Sequence, residues 1–358
     1  MKKKNEIVVL IPALNPNEEF YDYSKKLTEN ENVHLIVIDD GSKEELKYIF
    51  KKIEKLKNTT VLTHGINLGK GRGLKTGFNY YITHFDKKEY PGIVTADSDG
   101  QHKVEDVIAI GNELNKLKGE GIILGTRDFN LEQVPFKSRN GNKITTKVFK
   151  LLYGKKINDT QTGLRGITYD FAKECISING ERFEYEINML IKAVKDKITL
   201  KEHTIETIYY DNNSETHFNP VKDSIKIYRV MFTEFFKFTI SGLSSALLDI
   251  LLFTLFFNIL NGKIDESISI LIPTALARIL SSLYNYNINK SIVFNSKEKN
   301  TIVKYYILCV LQGLLSWILV EQVFNKISII HPSFIKVIID FILFLISYQI
   351  QQRWVFKK

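Results

Sequence analysis

The stretch Val94-Thr95-Ala96-Asp97-Ser98-Asp99-Gly100-Gln101-His102 passes from a short strand-like segment into two carboxylates one residue apart. Side chains at i and i+2 of an extended chain point the same way. Asp97 and Asp99 therefore leave the strand on one side, where both can reach a single divalent cation. Calcium loops also use an Asp-x-Asp-Gly turn, but the later acid that an EF-hand requires is missing. Acids delivered at the carboxyl end of a strand suit an open α/β sheet, whose ligands bind beyond those ends.

Working outward, apolar runs at 7–11, 35–38, 60–62, 92–96 and 122–124 alternate with helical patterns such as 43–56 and 74–84. Continuous Val/Ile runs mark strands buried on both faces, which predicts an α/β layered domain with a largely parallel sheet. Further polar motifs sit where the strands end. Ile36-Val-Ile-Asp39-Asp40-Gly41-Ser42 offers carboxylates to a base or ribose, although Asp-Gly-Ser is equally an ordinary turn and helix N-cap. Asn67-Leu-Gly69-Lys70-Gly71-Arg72-Gly73-Leu-Lys75-Thr76-Gly77 is a Gly-rich basic loop entering a helix, able to present backbone N–H groups and Lys70 to phosphate. Its spacing is not that of a Walker A loop, and a flexible basic turn reads the same way. Arg127 and Arg139 are candidate phosphate clamps, or plain surface residues. Asp159 reads either as a group that orients an acceptor or supports a metal, or as a loop cap.

The 358 residues suit two domains or a little more, and the mean hydropathy of −0.09 hides two opposite compositions. Residues 231–358 hold 12 Lys/Arg and 7 Asp/Glu, about 15% charged; residues 1–230 hold 37 and 33, about 30%. A single uniform globular domain and a disordered chain are both excluded. The net charge of +9 divides into +4 and +5, with no basic run interleaved with aromatics, so nucleic acid is not an expected partner. Two cysteines, Cys175 and Cys309, leave no disulfide framework. Met1-Lys2-Lys3-Lys4 and the apolar residues after it mimic a signal peptide, but Pro12, Asn15 and Glu18-Glu19 break the run, which reads better as a first strand.

Four apolar stretches, 238–260, 268–286, 303–324 and 334–350, approach the ~20 residues that span hydrocarbon. Each carries a blemish: Asp249, then Pro273 and Arg278, then Gln312 and Glu321, then Asp340. Charges inside spans are costly, so Asp249, Arg278 and Asp340 are expected to meet as a cluster. Basic residues gather in the loop after the second stretch (Lys290, Lys297, Lys299, Lys304) and in the tail (Arg353, Lys357, Lys358), which predicts a multi-pass cell-membrane protein with the N-terminal domain and both termini cytoplasmic. Residues 221–236 mix aromatic and aliphatic residues with Lys222, Lys226 and Arg229, as in an interfacial amphipathic helix. The expected domains are therefore 1–220, 221–236 and 237–358.

Taken in order, DDGS at 39–42, NLGKGRGLKTG at 67–77, ADSDGQH at 96–102, DTQTGLRG at 159–166 and RFEYE at 182–186 resemble glycosyltransferase family 2, most closely its dolichyl-phosphate mannose synthase branch. HFNPVKDSIKIY at 217–228 resembles that family's stretch before the membrane. Residues 231–358 resemble the GtrA-like four-span domain through 235–253, SSLYNYNINKSIVF at 281–294 and QQRWVF at 351–356. The resemblance implies a GT-A, nucleotide-diphospho-sugar transferase fold followed by an all-α membrane domain of four transmembrane helices. It implies that Asp97, Asp99 and Gln101 hold Mg²⁺ or Mn²⁺, with Ser98 beside them. It further implies that Pro12, Leu14, Asp39 and Asp40 line the nucleotide and that Arg127 and Arg139 face phosphates. One departure is visible: the family's Pro-Ala-Tyr-Asn-Glu reads Pro12-Ala13-Leu14-Asn15-Pro16 here, leaving Glu18 or Glu19 as the nearest replacement acid.

The implied reaction is inverting transfer of a hexose from a UDP- or GDP-sugar to a polyprenyl phosphate, with Asp99, Asp159, Arg127 and Arg139 as its catalytic candidates. A lipid membrane is the expected partner, and homo-oligomerisation is left open. Two alternatives stand beside it: a membrane domain that acts mainly as a translocase of the lipid-linked sugar, and a processive polysaccharide synthase. Gln349-Ile-Gln351-Gln352-Arg353-Trp354 only approximates the Gln-x-x-Arg-Trp motif that the synthase requires.

Overall fold

The computed structural model describes residues 6–117, 119–129, 131, 134, 136–206, 222–260, 262, 263, 265, 268–327 and 331–357. The signal-like start at 1–5 and the beginning of the 217–228 stretch lie outside the described residues. The chain divides into two compact units, Met1–Met231 and Phe232–Lys358.

Among the described residues of the first unit, seven strands form one sheet: β1 (Ile7–Ala13), β2 (Val33–Asp39), β3 (Thr59–Thr63), β4 (Gly92–Thr95), β5 (Gly121–Arg127), β6 (Arg165–Thr168) and β7 (Thr199–Ile205). Their order is β3-β2-β1-β4-β6-β5-β7. The helices are α1 (Glu19–Thr28), α2 (Lys47–Ile53), α3 (Lys70–His84), α4 (Val104–Leu114), α5 (Phe136–Tyr153), α6 (Tyr169–Cys175) and α7 (Glu184–Lys195). Every residue of β1 is buried, as its unbroken apolar run requires, and Val9, Ile11, Leu35, Val37 and Val94 form the centre of the core. Each such side chain contributes about 1.5–3 kcal/mol by leaving water.

β1 to β4 are parallel, as expected. β6 runs antiparallel between β4 and β5, and β7 pairs parallel with β5. The sequence reading has no strand at β6, because two of its four residues, Arg165 and Gly166, close the polar 159–166 motif. It passes over β7 because Thr-Leu-Lys-Glu-His-Thr-Ile alternates like an exposed edge strand. The insertion of β6 has a functional consequence. β4 and β5 both run opposite to it, so their carboxyl ends open on the same edge of the sheet. The ends of β1 and β2, parallel to β4, join them there.

The division between the units falls inside α8 (Lys222–Leu260), which is followed by α9 (Leu271–Ile288), α10 (Thr301–Lys326) and α11 (Pro332–Ile350). The separate amphipathic helix expected over 221–236 is, from Lys222 on, the opening of this single 39-residue helix. The physical reason is the lack of any Gly or Pro from Lys222 up to Gly242. Its first turns pack in the first unit: Ile227 and Met231 are buried, and the Tyr153 hydroxyl donates to the Met231 carbonyl at 2.9 Å.

Among the described residues three helices, Lys222–Leu260, Thr301–Lys326 and Pro332–Val355, are long and apolar enough to cross a membrane. Leu243, Leu247, Ile250, Val310, Ile338 and Phe341 point outward and are exposed. α9 does not meet that standard. Its 18 residues include Pro273, Arg278, Ser281, Ser282, Asn285 and Asn287, which lower its hydropathy. Among the described residues, three helices thus have the length and composition of a span, and the fourth expected span, over 268–286, is not one of them.

The expected Asp249–Arg278–Asp340 cluster is two separate groups. Arg278 Nη2 pairs with Asp249 at 3.2 Å, and the Ser281 hydroxyl donates to the same carboxylate at 2.8 Å. Asp340 instead pairs with Lys336 at 2.9 Å, one turn away on its own helix, and accepts from Ser316. Near the chain's end the buried Asn289 Nδ2 donates to Gln351 Oε1 at 3.0 Å, which joins the 281–294 and 351–356 stretches.

Candidate active site at the carboxyl edge of the sheet

Asp97 and Asp99 follow β4 in a turn. The Thr95 hydroxyl donates to the Gly163 carbonyl at 2.8 Å, which ties this end of β4 to the loop before β6. That loop leaves no spare room: a Cβ on Gly163 would stand 2.2 Å from Asp97 Oδ2. Asp97 Oδ1 lies 2.6 Å from Lys70 Nζ, and Asp97 Oδ2 lies 3.3 Å from His102 Nε2. Lys70 also reaches Glu186 Oε1 at 3.0 Å. Burial opposes the charge on Asp97, but Lys70 and His102 outweigh it and hold the carboxyl well below its ordinary range. Burial likewise opposes the Lys70 ammonium, and Asp97 with Glu186 outweighs it, so its pKa is raised. Asp99 behaves in the opposite way: burial, then the charge of Asp97, push its pKa up, although its Oδ1 accepts the Gln101 N–H at 3.1 Å. Ser98 is half-buried between the two acids.

The Gly-rich stretch delivers Lys70 for a reason the sequence does not display. Gly69 sits at φ 102, where its Cβ would meet the Glu181 carbonyl at 2.5 Å. A Cβ on Gly71 would meet Tyr185 Cβ at 2.6 Å. The amino end of α3 is thereby seated on the 181–185 turn, and the Arg72 N–H donates to the Glu181 carbonyl at 3.0 Å. In this structure these glycines serve chain-to-chain packing, where the sequence reading assigns them to phosphate.

Asp40 has a similar role. Its oxygens accept from His64 Nδ1 at 2.7 Å, from the Leu68 N–H at 3.0 Å and from the Gly69 N–H at 2.8 Å, so it holds the Gly-rich stretch to the end of β2. Asp39 accepts the Ser42 N–H at 2.8 Å, and the Ser42 hydroxyl accepts the Asn15 N–H at 2.9 Å. The half-buried Leu14 therefore lies in a turn clamped to the 39–43 loop, with Pro12 buried at the end of β1. Glu18 does not replace the missing acid: it bonds Tyr48 and Lys52 on the exposed outer surface.

At the end of β5, Arg127 pairs with Asp159, Nε to Oδ2 at 2.7 Å and Nη2 to Oδ1 at 3.1 Å, and Asp159 is fully buried. The structure thus joins two candidates that the sequence reading treats separately. Arg139 Nη2 donates to the Leu131 carbonyl at 2.7 Å, while its buried Nε has no hydrogen-bond partner among the described residues.

Among the described residues no three His, Cys, Asp or Glu side chains form a ready-made metal cluster. Mg²⁺, however, is commonly held by one or two carboxylates completed by substrate phosphates. Asp97 and Asp99 supply hard oxygens, and burial, then the neighbouring charge of Asp97, raise the pKa of Asp99, a cost to its charged form that a bound cation would offset. The donor set fits Mg²⁺ or Mn²⁺.

Residues 8–175 match the family model described as glycosyl transferase family 2, and residues 237–356 match the one described as GtrA/DPMS, transmembrane domain. The chain belongs to glycosyl transferase family 2 and carries a GtrA/DPMS transmembrane domain. It is 32% identical over 210 residues to an uncharacterized protein of Methanocaldococcus jannaschii, covering 58% of this chain and 83% of that protein. It is 27% identical over 228 residues to the UDP-N-acetylglucosamine–dolichyl-phosphate N-acetylglucosaminyltransferase of Methanococcus voltae, covering 57% of this chain and 86% of that protein. Among solved structures it is similar to mannosyl-3-phosphoglycerate synthase from Rubrobacter xylanophilus, at 13% identity and a TM-score of 0.46, over 63% of this chain and 71% of that one. The family 2 domain is a GT-A-like mixed α/β sheet, and the chain is a transferase.

Four residues of this edge escape the sequence reading as site residues: His102, Gly163, Arg165 and Glu186. His102 and Glu186 each close a quoted motif, which was the available signal. Nothing in the sequence announces that Arg165, 1% exposed, donates to the Glu186 carbonyl at 2.7 Å.

Proposed function

We propose that this family 2 enzyme transfers a hexose from a nucleotide-diphosphate sugar, UDP- or GDP-linked, to a polyprenyl phosphate, with inversion, at the cytoplasmic face of the cell membrane. The observation that carries the reading is the Asp97–Asp99 pair at the carboxyl edge of a family 2 domain whose chain also holds a GtrA/DPMS transmembrane domain. The Methanococcus voltae relative, named for a UDP-sugar and dolichyl phosphate, supports both substrate classes.

Asp97, Asp99 and Gln101 would hold Mg²⁺ or Mn²⁺, which when bound offsets charge on the leaving nucleotide diphosphate. A phosphate monoester has a second pKa of about 6 and is largely ionised at neutral pH, so the chain need not supply a strong general base. Its own tasks are positioning and charge balance. Pro12, Leu14 and Asp39 flank the nucleotide at the ends of β1 and β2. Arg139, whose buried Nε has no hydrogen-bond partner among the described residues, is a cation for the acceptor phosphate. Arg127 acts through Asp159, holding the loop that presents Gly163 to Asp97. The reading takes α9 as a fourth crossing beside the three long apolar helices, which would put both termini on the catalytic side.

A second reading, movement of the lipid-linked sugar by the helical unit, is favoured by the Asp249–Arg278 and Asp340–Lys336 pairs, because charges inside spans are costly and commonly functional.

The test incubates membranes holding the protein with a panel of labelled nucleotide sugars and undecaprenyl phosphate. Organic-extractable label that disappears with EDTA is expected. No label from any donor would sink the proposal.

A further inference from the structure

Lys70 opens α3, and its ammonium stands between carboxylates from two other parts of the fold. Asp97 Oδ1 is 2.6 Å away and Glu186 Oε1 3.0 Å away. The three side chains are only 18%, 27% and 11% exposed. An amine held between two acids and largely out of water is a built arrangement, unlike a surface pair. The seating of Gly69 and Gly71 on the 181–185 turn fixes the helix end that carries Lys70.

The two acids are held differently. Glu186 lies in the first turn of α7, and its carbonyl is held by the buried guanidinium of Arg165. Asp97 lies in the turn after β4, beside Asp99, where a cation is expected. Lysine is a compact charge on a flexible stem, so it can keep one partner while releasing the other.

We propose that Lys70 is the resident counter-cation of Asp97, anchored by Glu186, and that a divalent cation entering the Asp97–Asp99 pair displaces it toward the incoming diphosphate. The proposal rests on the reading of Asp97 and Asp99 as the cation-holding pair. Without nucleotide, the ammonium competes with the metal for Asp97. With nucleotide, the diphosphate offers the ammonium a new partner, so metal and nucleotide reinforce each other's binding. Lys70 is thus a positioning residue that makes metal binding depend on nucleotide.

The test measures Mn²⁺ binding to the detergent-solubilised full chain by calorimetry and electron paramagnetic resonance, first alone and then with UDP or GDP. Wild type is expected to bind Mn²⁺ weakly alone and more tightly with one nucleotide. Lys70→Met should bind Mn²⁺ alone about tenfold more tightly, the scale on which a touching opposite charge changes a carboxylate's affinity for a proton. It should also lose most of the reinforcement by nucleotide, whereas Lys70→Arg should keep it. Glu186→Gln, which leaves Lys70 to Asp97 alone, should bind Mn²⁺ alone more weakly than wild type. Lys70→Met binding no tighter than wild type, or keeping full reinforcement, overturns the proposal. If Lys70→Met does not fold, Glu186→Gln binding as tightly as wild type overturns it. Absence of Mn²⁺ binding in every variant, with and without nucleotide, overturns it as well. None of these measurements uses a sugar or a lipid, so failure of sugar transfer would overturn the proposed function and leave this inference standing.

Discussion

Arg127 grips Asp159 through two contacts, Nε to Oδ2 at 2.7 Å and Nη2 to Oδ1 at 3.1 Å, and the carboxylate it grips has no exposure to solvent. The pair joins the end of β5 to the loop that leads into β6.

Removing one partner of a buried pair leaves the other uncompensated, at a cost of about 3–5 kcal/mol. Arg127→Met is therefore expected to lower the thermal midpoint of the solubilised full chain and to reduce activity with it. The double variant Arg127→Met/Asp159→Leu should recover much of the midpoint without recovering activity. An unchanged midpoint in Arg127→Met would contradict a structural pairing.

Gly163→Ala tests the confinement of Asp97. The new Cβ would stand 2.2 Å from Asp97 Oδ2, so the carboxylate must turn or the loop must shift. Misplacement of a reacting-site group by about 1 Å costs on the order of 100-fold in rate. Steady-state transfer assays should show that loss with little change in thermal midpoint, and wild-type rates would count against the geometry.

Asp97→Asn should abolish organic-extractable transfer product while leaving membrane insertion intact. The amide keeps the shape of the carboxylate but removes the charge that Lys70 and a divalent cation require. Membrane fractionation together with the labelled-sugar assay reads both outcomes. Full activity of this variant in EDTA-washed membranes would rule out a metal role for the residue.

Stability is expected to fall at alkaline pH. Burial pushes up the pKa of the Cys175 thiol and of the Tyr81 and Tyr185 phenols. The folded state thus keeps protons that the unfolded chain releases from about pH 8.5 for cysteine and about pH 10 for tyrosine. Their stabilising contribution is complete below those values and declines as pH rises above them. Thermal midpoints between pH 8 and 11 should drop, and Cys175→Ala should flatten the earliest part of the decline. A flat profile would argue against the burial of these groups.

Much of the sheet is legible in the sequence because doubly buried strands need unbroken apolar runs, and β1, β2 and β4 have them. β6 is not legible, since four residues that include the buried Arg165 resemble a polar loop until their neighbours are known. That the 222–236 segment continues into the next helix is not legible for a related reason. Residues after Lys222 have the mixed composition of a surface helix, but helix ends are set by breakers, and none occurs before Gly242.

The sequence by itself determined the two compositions, the acidic pair at a strand end, and the order of motifs that marks family 2. Those features depend on short-range spacing, which the chain order carries directly. Only the tertiary structure decided what each charge answers to. It set Lys70 between Asp97 and Glu186, Arg127 on Asp159, Asp40 on the backbone of Leu68 and Gly69, and Asp340 on Lys336 rather than Arg278. The physical reason is range. A buried charge must find its partner within a few ångströms, and except for Asp340 the partners here come from residues 27 to 116 positions away, which strand order and glycine-permitted close approach bring together.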